Sequence, residues 1–349
     1  MYLERVSIVR FGPFDELTID LLDRQLVPRP MTVVWGEGGL GKTTLVAALA
    51  CTRPGNLVQP RGLFRRAGGD SWICSDWRIG EREPPASHSL RWITPNAGPG
   101  APVLDAGAKR MQAVVDRRAA GGRGYVFVAL PGHRQFAPAS LGLVDPARTL
   151  LQYDVRTAGL TVDSTRPELT RPCKQALSFA GIVSALAGNE RGGGNDPRFL
   201  GAAMREAVNT MLDLAEHEYT GVDALTLEPR FRTPGGASVG FEGLASQLRH
   251  LISFVALPTR ALWAAHGGRD PRGCAGVVVI DDAQLLLSDA LLAGLVPALR
   301  RALPRVQWVL TTNSPTLASS CAAEELVTLR RLPSSDRVES FTGDLARCH

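Results

Sequence analysis

The sequence predicts an α/β fold in which a buried strand runs through a phosphate-binding loop into a helix. Three observations carry that expectation. Gly36-Glu37-Gly38-Gly39-Leu40-Gly41-Lys42-Thr43-Thr44 satisfies G-x-x-x-x-G-K-[ST], with an apolar run, Met31 to Trp35, leading in and a helix-like run, Leu45 to Ala50, leading out. Val277-Val278-Val279-Ile280 is a continuous β-branched run of the kind found in strands buried on both faces, and it ends in Asp281-Asp282. A helix expected over Asp289 to Leu303 is followed by a further buried strand, Val306 to Thr311.

The loop works only as strand, loop and helix together. Its glycines let the backbone wrap a phosphate chain so that N–H groups point at the anion, and the positive end of the following helix adds to the attraction. Lys42 is expected to reach the β- and γ-phosphates, and the Thr43 hydroxyl to hold Mg²⁺. The nucleotide-binding candidates are therefore Gly36, Glu37, Gly38, Gly39, Leu40, Gly41, Lys42, Thr43 and Thr44. Asp281, at the end of a strand expected beside the P-loop strand, is the second candidate for Mg²⁺. The chain thus binds a nucleoside triphosphate or descends closely from one that did.

Composition limits the alternatives. With 349 residues, 44% hydrophobic and 21% charged, the chain can bury a core and hold one large domain or two ordinary ones. No apolar run approaches the ~20 residues that a membrane helix needs. Met1-Tyr2-Leu3-Glu4-Arg5 carries no signal-peptide pattern. The six cysteines (51, 74, 173, 274, 321 and 348) are scattered without C-x-x-C spacing. Zinc and a disulfide framework are not expected, and a reducing cytoplasm is. The net charge of +5 suits an anionic partner, but the basic residues are spread along the chain and only Lys42, Lys109 and Lys174 are lysines. Nucleic acid stays open as a partner on charge alone.

Before the loop, residues 2–21 read as two strands, with Leu17, Ile19 and Leu21 alternating with polar residues and Phe11-Gly12-Pro13-Phe14 making the reversal. Residues 53–124 are rich in Pro, Gly and Arg. From them emerge strands at Trp72 to Ile79 and Leu90 to Thr94, separated by a turn containing Pro84-Pro85, and a helix from Ala106 to Arg118. Trp72, Trp77 and Trp92 could stack bases, but core is the favoured reading. A strand from Tyr125 to Leu130 precedes Pro131-Gly132-His133-Arg134-Gln135, and another strand pair is expected over 149–163. Helices follow over Arg171 to Leu186 and Pro197 to Leu214, the second with Phe199, Ala203, Ala207, Val208 and Met211 on one face. Between them lies a Gly-rich loop, Arg191 to Asn195. His217 and Glu218 have no partner at metal-ligand spacing and read as surface. A strand pair over 219–240 turns at Pro234-Gly235-Gly236, and Leu244 to Ala265 is a long helix broken or kinked near Pro258. Leu326 to Arg330 and Arg337 to Thr342 form a last strand pair.

Leu3, Ile8 and Phe11-Gly12-Pro13-Phe14 before a P-loop, the distal aliphatic-Asp strand, and Leu310-Thr311-Thr312-Asn313-Ser314-Pro315 together resemble the RecF, OLD and structural-maintenance-of-chromosomes (SMC) type of ATPase head, which belongs to the ABC class. The pieces span nearly the whole chain. The resemblance implies a P-loop NTPase fold, ABC/SMC-head-like, with a mixed sheet core, an antiparallel β-subdomain and a helical lobe. It implies one head in three lobes: 1–150 with the P-loop, 151–270 with the signature, and 271–349 with the acidic and switch strands. It also implies ATP and Mg²⁺ as cofactors, an ATP-dependent head dimer, a separate effector protein, and service in DNA repair, chromosome handling or anti-phage defence.

Residue by residue, the chain departs from that pattern. Where relatives have Asp-Glu, the Glu polarising the attacking water, it has Asp281-Asp282, so Asp282 becomes the catalytic candidate on a shorter side chain. Asn313 stands where relatives have His and is the second catalytic candidate. The L-S-x-G-x-R signature best matches Leu244-Ala245-Ser246-Gln247-Leu248-Arg249, leaving Ser246 as nucleotide contact with the glycine gone. Gln135 is either the loop glutamine that senses Mg²⁺ and γ-phosphate or an ordinary surface residue. A slow ATPase is expected. The alternatives are an interaction module whose nucleotide is structural, or, less favoured, a kinase or GTPase, for which no N/T-K-x-D base-recognition motif exists.

Overall fold

A computed structural model of the chain describes residues 1–55, 71–80, 87–94, 97–98, 100–120, 124–141, 168–187, 196–333 and 337–347. Alternation builds the first hairpin: in β1 (Tyr2–Phe11) and β2 (Phe14–Asp20), Leu17 and Ile19 are buried while Glu16, Thr18 and Asp20 face solvent. The strands reverse across the Phe11–Phe14 pair. β3 (Met31–Trp35) enters the phosphate loop and α1 (Lys42–Cys51) leaves it. β4 (Trp72–Gly80) and β5 (Ser87–Ile93) complete an antiparallel sheet of order β2-β1-β4-β5, against which α2 (Ala106–Ala120) packs. Trp77 and Trp92 are fully buried there, as the sequence led us to expect, while Trp72 is half-buried. Their indoles are satisfied: Trp77 donates to the Ser75 hydroxyl at 2.6 Å and Trp92 to the Asp116 carboxylate at 2.8 Å.

β6 (Phe127–Leu130) joins the central sheet. A helical layer follows, made of α3 (Thr170–Leu186), α4 (Pro197–Leu212) and α5 (Ser246–Ala265). Between α4 and α5 the chain forms a small sheet of β7 (Glu218–Val222), β8 (Pro229–Arg232) and β9 (Ser238–Gly240). β10 (Gly276–Ile280), α6 (Asp289–Ala302), β11 (Val306–Thr312), α7 (Pro315–Ser319), β12 (Leu326–Arg331), β13 (Val338–Thr342) and α8 (Asp344–Arg347) end the described fold. The central sheet has the order β13-β12-β3-β11-β10-β6 and is parallel except for β13 at its edge.

Successive residues of the central strands enter different cores, which is why those strands are apolar throughout. Val33, Val278, Ile280, Trp308 and Leu310 face the helical layer, while Val34, Val277, Val279, Val309 and Val327 face α1 and the antiparallel sheet.

Five expectations need correction. β10 is not beside β3, because β11 lies between them; strand order is set by how the β10–α6–β11 unit folds back, which no local pattern encodes. The segment 219–240 forms three strands rather than two, since the chain continues past β8 into β9. On α4, Phe199 is 43% exposed. The buried stripe runs instead through Leu200, Ala203, Met204, Ala207, Val208 and Met211, and the α-helix stops at Leu212 in a 3-10 turn. His217 is half-buried, its Nδ1 against the Ala215 carbonyl at 2.6 Å, rather than a free surface residue. α5 is not broken at Pro258 but continues as helix through it. An internal proline costs about 3 kcal/mol, and the buried Phe254, Val255, Leu257 and Leu262 around it each contribute about 1.5–3 kcal/mol. The strand pair over 149–163, the Gly-rich loop 191–195 and the turn at Pro84-Pro85 lie outside the described residues.

Candidate functional site

The phosphate loop is wedged against the first hairpin. Gly41 has φ +87°, and a Cβ there would lie 2.5 Å from Pro13 Cγ and 2.6 Å from Phe14 Cζ, so glycine is needed for both conformation and space. A Cβ on Gly12, in the hairpin turn, would meet Thr44 Cγ2 at 3.0 Å. Gly38 and Gly39 have open space above them; with Glu37 they are exposed, whereas Gly36 and Leu40 are buried. The Gly36 N–H donates to the Thr312 carbonyl at 3.1 Å, tying the loop to β11. Lys42, only 7% exposed, donates from Nζ to the Gly36 and Glu37 carbonyls, each at 2.7 Å. Burial pulls its pKa down, and the charges of Asp282 and Asp281 oppose that.

The parallel strands end together at one edge, and the acidic pair sits there. Asp281 is buried and accepts from the Thr311 hydroxyl at 2.5 Å, and the exposed Thr43 side chain lies near enough to help lower its pKa. Burial raises its pKa, the Thr311 bond lowers it, and the Asp282 charge raises it again. Asp282 is half-buried with φ +45°, a left-handed conformation that costs a non-glycine residue about 1–3 kcal/mol unless its surroundings hold it. They do: its N–H donates to Thr311 Oγ1 at 2.9 Å, and its carbonyl accepts from Arg134 Nη2 at 3.0 Å. Its carboxylate accepts from Gln284 Nε2 at 3.3 Å and lies over Gly132, where a Cβ would stand 2.9 Å from Oδ2.

Sequence reasoning missed Arg134, Thr311 and His250. Arg134 is 5% exposed. Its Nη1 donates to the Pro131 and Asp281 carbonyls at 2.8 and 2.7 Å, and its Nε to His250 Nδ1 at 3.0 Å. Burial lowers its pKa to about 10, with the Asp281 and Asp282 charges opposing. Burial, then the charges of Arg134 and Arg249, lower that of His250 to about 3, so the imidazole is neutral. For Arg134 the only sequence signal was the polar run after β6, its partner His250 being 116 positions away, whereas Thr311 lay in the quoted strand-end run with no role of its own assigned.

The remaining candidates are less engaged. Gln135 is exposed, and its carbonyl accepts from the Leu169 N–H at 2.9 Å. Asn313 is exposed at the end of β11, one residue past the Thr312–Trp35 pair. Ser246 is half-buried at the first position of α5, in the helical layer.

The donors present fit a magnesium nucleotide. Open space over Gly38 and Gly39 can admit phosphate oxygens, and Lys42 can redirect its ammonium from loop carbonyls to them. A hydroxyl and a buried carboxylate are hard oxygen donors, and Mg²⁺ is commonly held by one or two carboxylates together with phosphates. Among the described residues no cluster of three or more His, Cys, Asp or Glu could hold a metal by itself.

No model of a known protein family and no curated protein matches the chain. Solved structures do. The SMC head bound to the C-terminal winged-helix domain of ScpA is similar with a TM-score of 0.54 at 10% identity, over 99% of this chain and 99% of that one. The SMC head with an extended coiled coil, bound to the C-terminal domain of ScpA from Pyrococcus furiosus, has a TM-score of 0.52 at 11% identity, over 98% of this chain and 96% of that one. At such identity the likeness is one of fold. The chain has a mixed α/β P-loop NTPase fold similar to SMC heads. Among the described residues no helix is long and apolar enough to cross a membrane.

Proposed function

We propose that this chain is an ATP-binding, slowly hydrolysing ATPase head of the RecF/OLD/SMC-like kind. One observation carries the reading: the end of β11 bonds the loop of Lys42 and Thr43 through the Thr312 carbonyl and the acidic pair Asp281-Asp282 through the Thr311 hydroxyl, so groups far apart in sequence share one sheet edge. Lys42 and the loop amides bind the phosphates, and Thr43 and Asp281 would hold Mg²⁺, which supplies neutralisation of phosphate charge. Asp282 accepts a hydrogen bond from the water in line with the γ-phosphate. Its side chain is one methylene shorter than the glutamate of relatives, so it holds that water less well and turnover is slow. Asn313 hydrogen-bonds the γ-phosphate or the water, and Ser246 contacts nucleotide across a two-fold head dimer formed with ATP. Head association then changes how a separate effector or DNA is held, in repair or anti-phage defence.

Lys42→Ala abolishes ATP binding while the fold stays intact, because the ammonium faces the loop rather than a core. Calorimetry decides it: equal ATP affinity in wild type and variant removes the phosphate-loop reading. Scattering mass with and without Mg²⁺-ATP tests the dimer. A second reading is a nucleotide-bound scaffold without hydrolysis, favoured by the exposed, uncharged Asn313. Tight binding with no phosphate release by purified protein selects it.

A further inference from the structure

Asp282 is held in its left-handed conformation by hydrogen bonds to its backbone on both sides, and one of the two donors or acceptors is a buried charge from another strand end. The Arg134 guanidinium reaches the carbonyls of Pro131, Asp281 and Asp282 at once. The guanidinium is a rigid planar fork, and a further group holds its Nε–H. That group is His250, fully buried in the second turn of α5, whose Nδ1 accepts from Arg134 Nε and whose proton therefore sits on Nε2. Packing fixes the pair further: the guanidinium lies 5.2 Å from the centre of the Phe254 ring, and Phe136 packs edge-on against His250 at 4.9 Å. The segment after β6 is pinned to the helical layer at two more points. Arg249 Nη1 donates to the Phe136 carbonyl at 3.4 Å, and Lys174 Nζ to the Ala139 carbonyl at 2.8 Å.

We propose that Arg134 and His250 are positioning residues for Asp282: the guanidinium, aimed by the imidazole, fixes the backbone from which the Asp282 carboxylate projects, and so ties the N-terminal turns of α5 to the acidic sheet edge. This rests on the reading of Asp282 as the group that holds the attacking water. Both side chains are buried and act through the backbone of Asp282. Gly132 completes the arrangement by leaving room for the carboxylate.

The test uses the full chain with Arg134→Gln, His250→Leu and His250→Asn, the last because an amide oxygen replaces the Nδ1 acceptor. Arg134→Gln lowers kcat at least about tenfold and changes the calorimetric Kd for Mg²⁺-ATP less than about threefold, since the Asp282 backbone loses one of its two holds while the Asp281 carboxylate keeps its bond from the Thr311 hydroxyl. In the absence of nucleotide, amide exchange at Asp282 and Ala283 accelerates while that at Val278 and Val279 does not. His250→Leu shifts both readouts in the same direction, and His250→Asn restores them to within about threefold of wild type, the acceptor being returned. Unchanged exchange at Asp282 and Ala283 in both Arg134→Gln and His250→Leu overturns the proposal. So does a joint loss of kcat and affinity, the mark of a merely structural role, or His250→Asn behaving like His250→Leu. Should Arg134→Gln not fold, the contrast between the two His250 variants decides. Wild-type protein without turnover overturns the hydrolysis reading instead, and the exchange contrast still reports whether Arg134 holds Asp282.

Discussion

The Thr311 hydroxyl donates to the Asp281 carboxylate over 2.5 Å, bonding β11 to the acid that ends β10. The same oxygen accepts the Asp282 N–H at 2.9 Å. Thr311→Val keeps the shape and removes both bonds, leaving a buried carboxylate and an N–H each short of a partner. Loss of stability by about 1–3 kcal/mol is expected, together with weaker ATP binding in the presence of Mg²⁺. Urea midpoints and calorimetry with and without Mg²⁺ check the two effects separately; a variant as stable as wild type would mean that the Thr311 bridge does not stabilise the fold.

The glycines of the loop are not equivalent. Gly41→Ala puts a Cβ into Pro13 and Phe14 at a positive φ, so a loss of more than about 1 kcal/mol is expected. Gly38→Ala meets nothing within 4 Å and changes stability by less than about 0.5 kcal/mol. Thermal melts of the two variants side by side test the contrast. Equal melting temperatures would mean that the hairpin does not buttress the loop.

The acidic pair divides by role. Asp282→Asn lowers turnover with little loss of ATP affinity, because the carboxylate acts mainly in the transition state, whereas Asp281→Asn weakens Mg²⁺-ATP binding. Gly132→Ala follows Asp282→Asn, since its Cβ would stand 2.9 Å from Asp282 Oδ2 and displace that oxygen. Steady-state kinetics on the three variants decides. Full turnover in Asp282→Asn means that its carboxylate takes no part.

Acid reports on His250. Its pKa in the folded chain, about 3, lies below the ordinary 6.5 because burial and the charges of Arg134 and Arg249 disfavour the imidazolium. A depressed pKa means that its contribution is complete above pH 6.5 and drains away as pH falls toward 3, by at most about 1.4 kcal/mol per pH unit. His250→Asn has no proton to gain, so its urea midpoint should fall less than that of wild type between pH 6.5 and 4. Parallel curves would place the acid sensitivity elsewhere.

Much of the site was legible because its chemistry is local. The phosphate loop needs Gly36, Gly41, Lys42 and Thr43 at fixed short spacings, and the buried strand ending in Asp281 announces itself by four aliphatic residues in a row. Alternation in β2 and the helical spacing of α4 likewise follow from periods of two and 3.6 residues, although the stripe on α4 was drawn one residue off at Phe199.

What only the tertiary structure decided concerns residues that are distant in the chain. Sequence periodicity tells a strand that it is buried but not which strand it lies beside, so the insertion of β11 between β3 and β10, and with it the bridging role of Thr311, comes from the packing of α6. The bond from Arg134 to His250 spans 116 positions, and nothing in the run Pro131-Gly132-His133-Arg134-Gln135 marks the arginine rather than the glutamine as the residue turned inward. Aspartate visits the left-handed region more readily than most residues, but nothing local to Asp282 fixes it there. It is held by a hydroxyl from β11 and a guanidinium from the end of β6, which meet only once the sheet has formed.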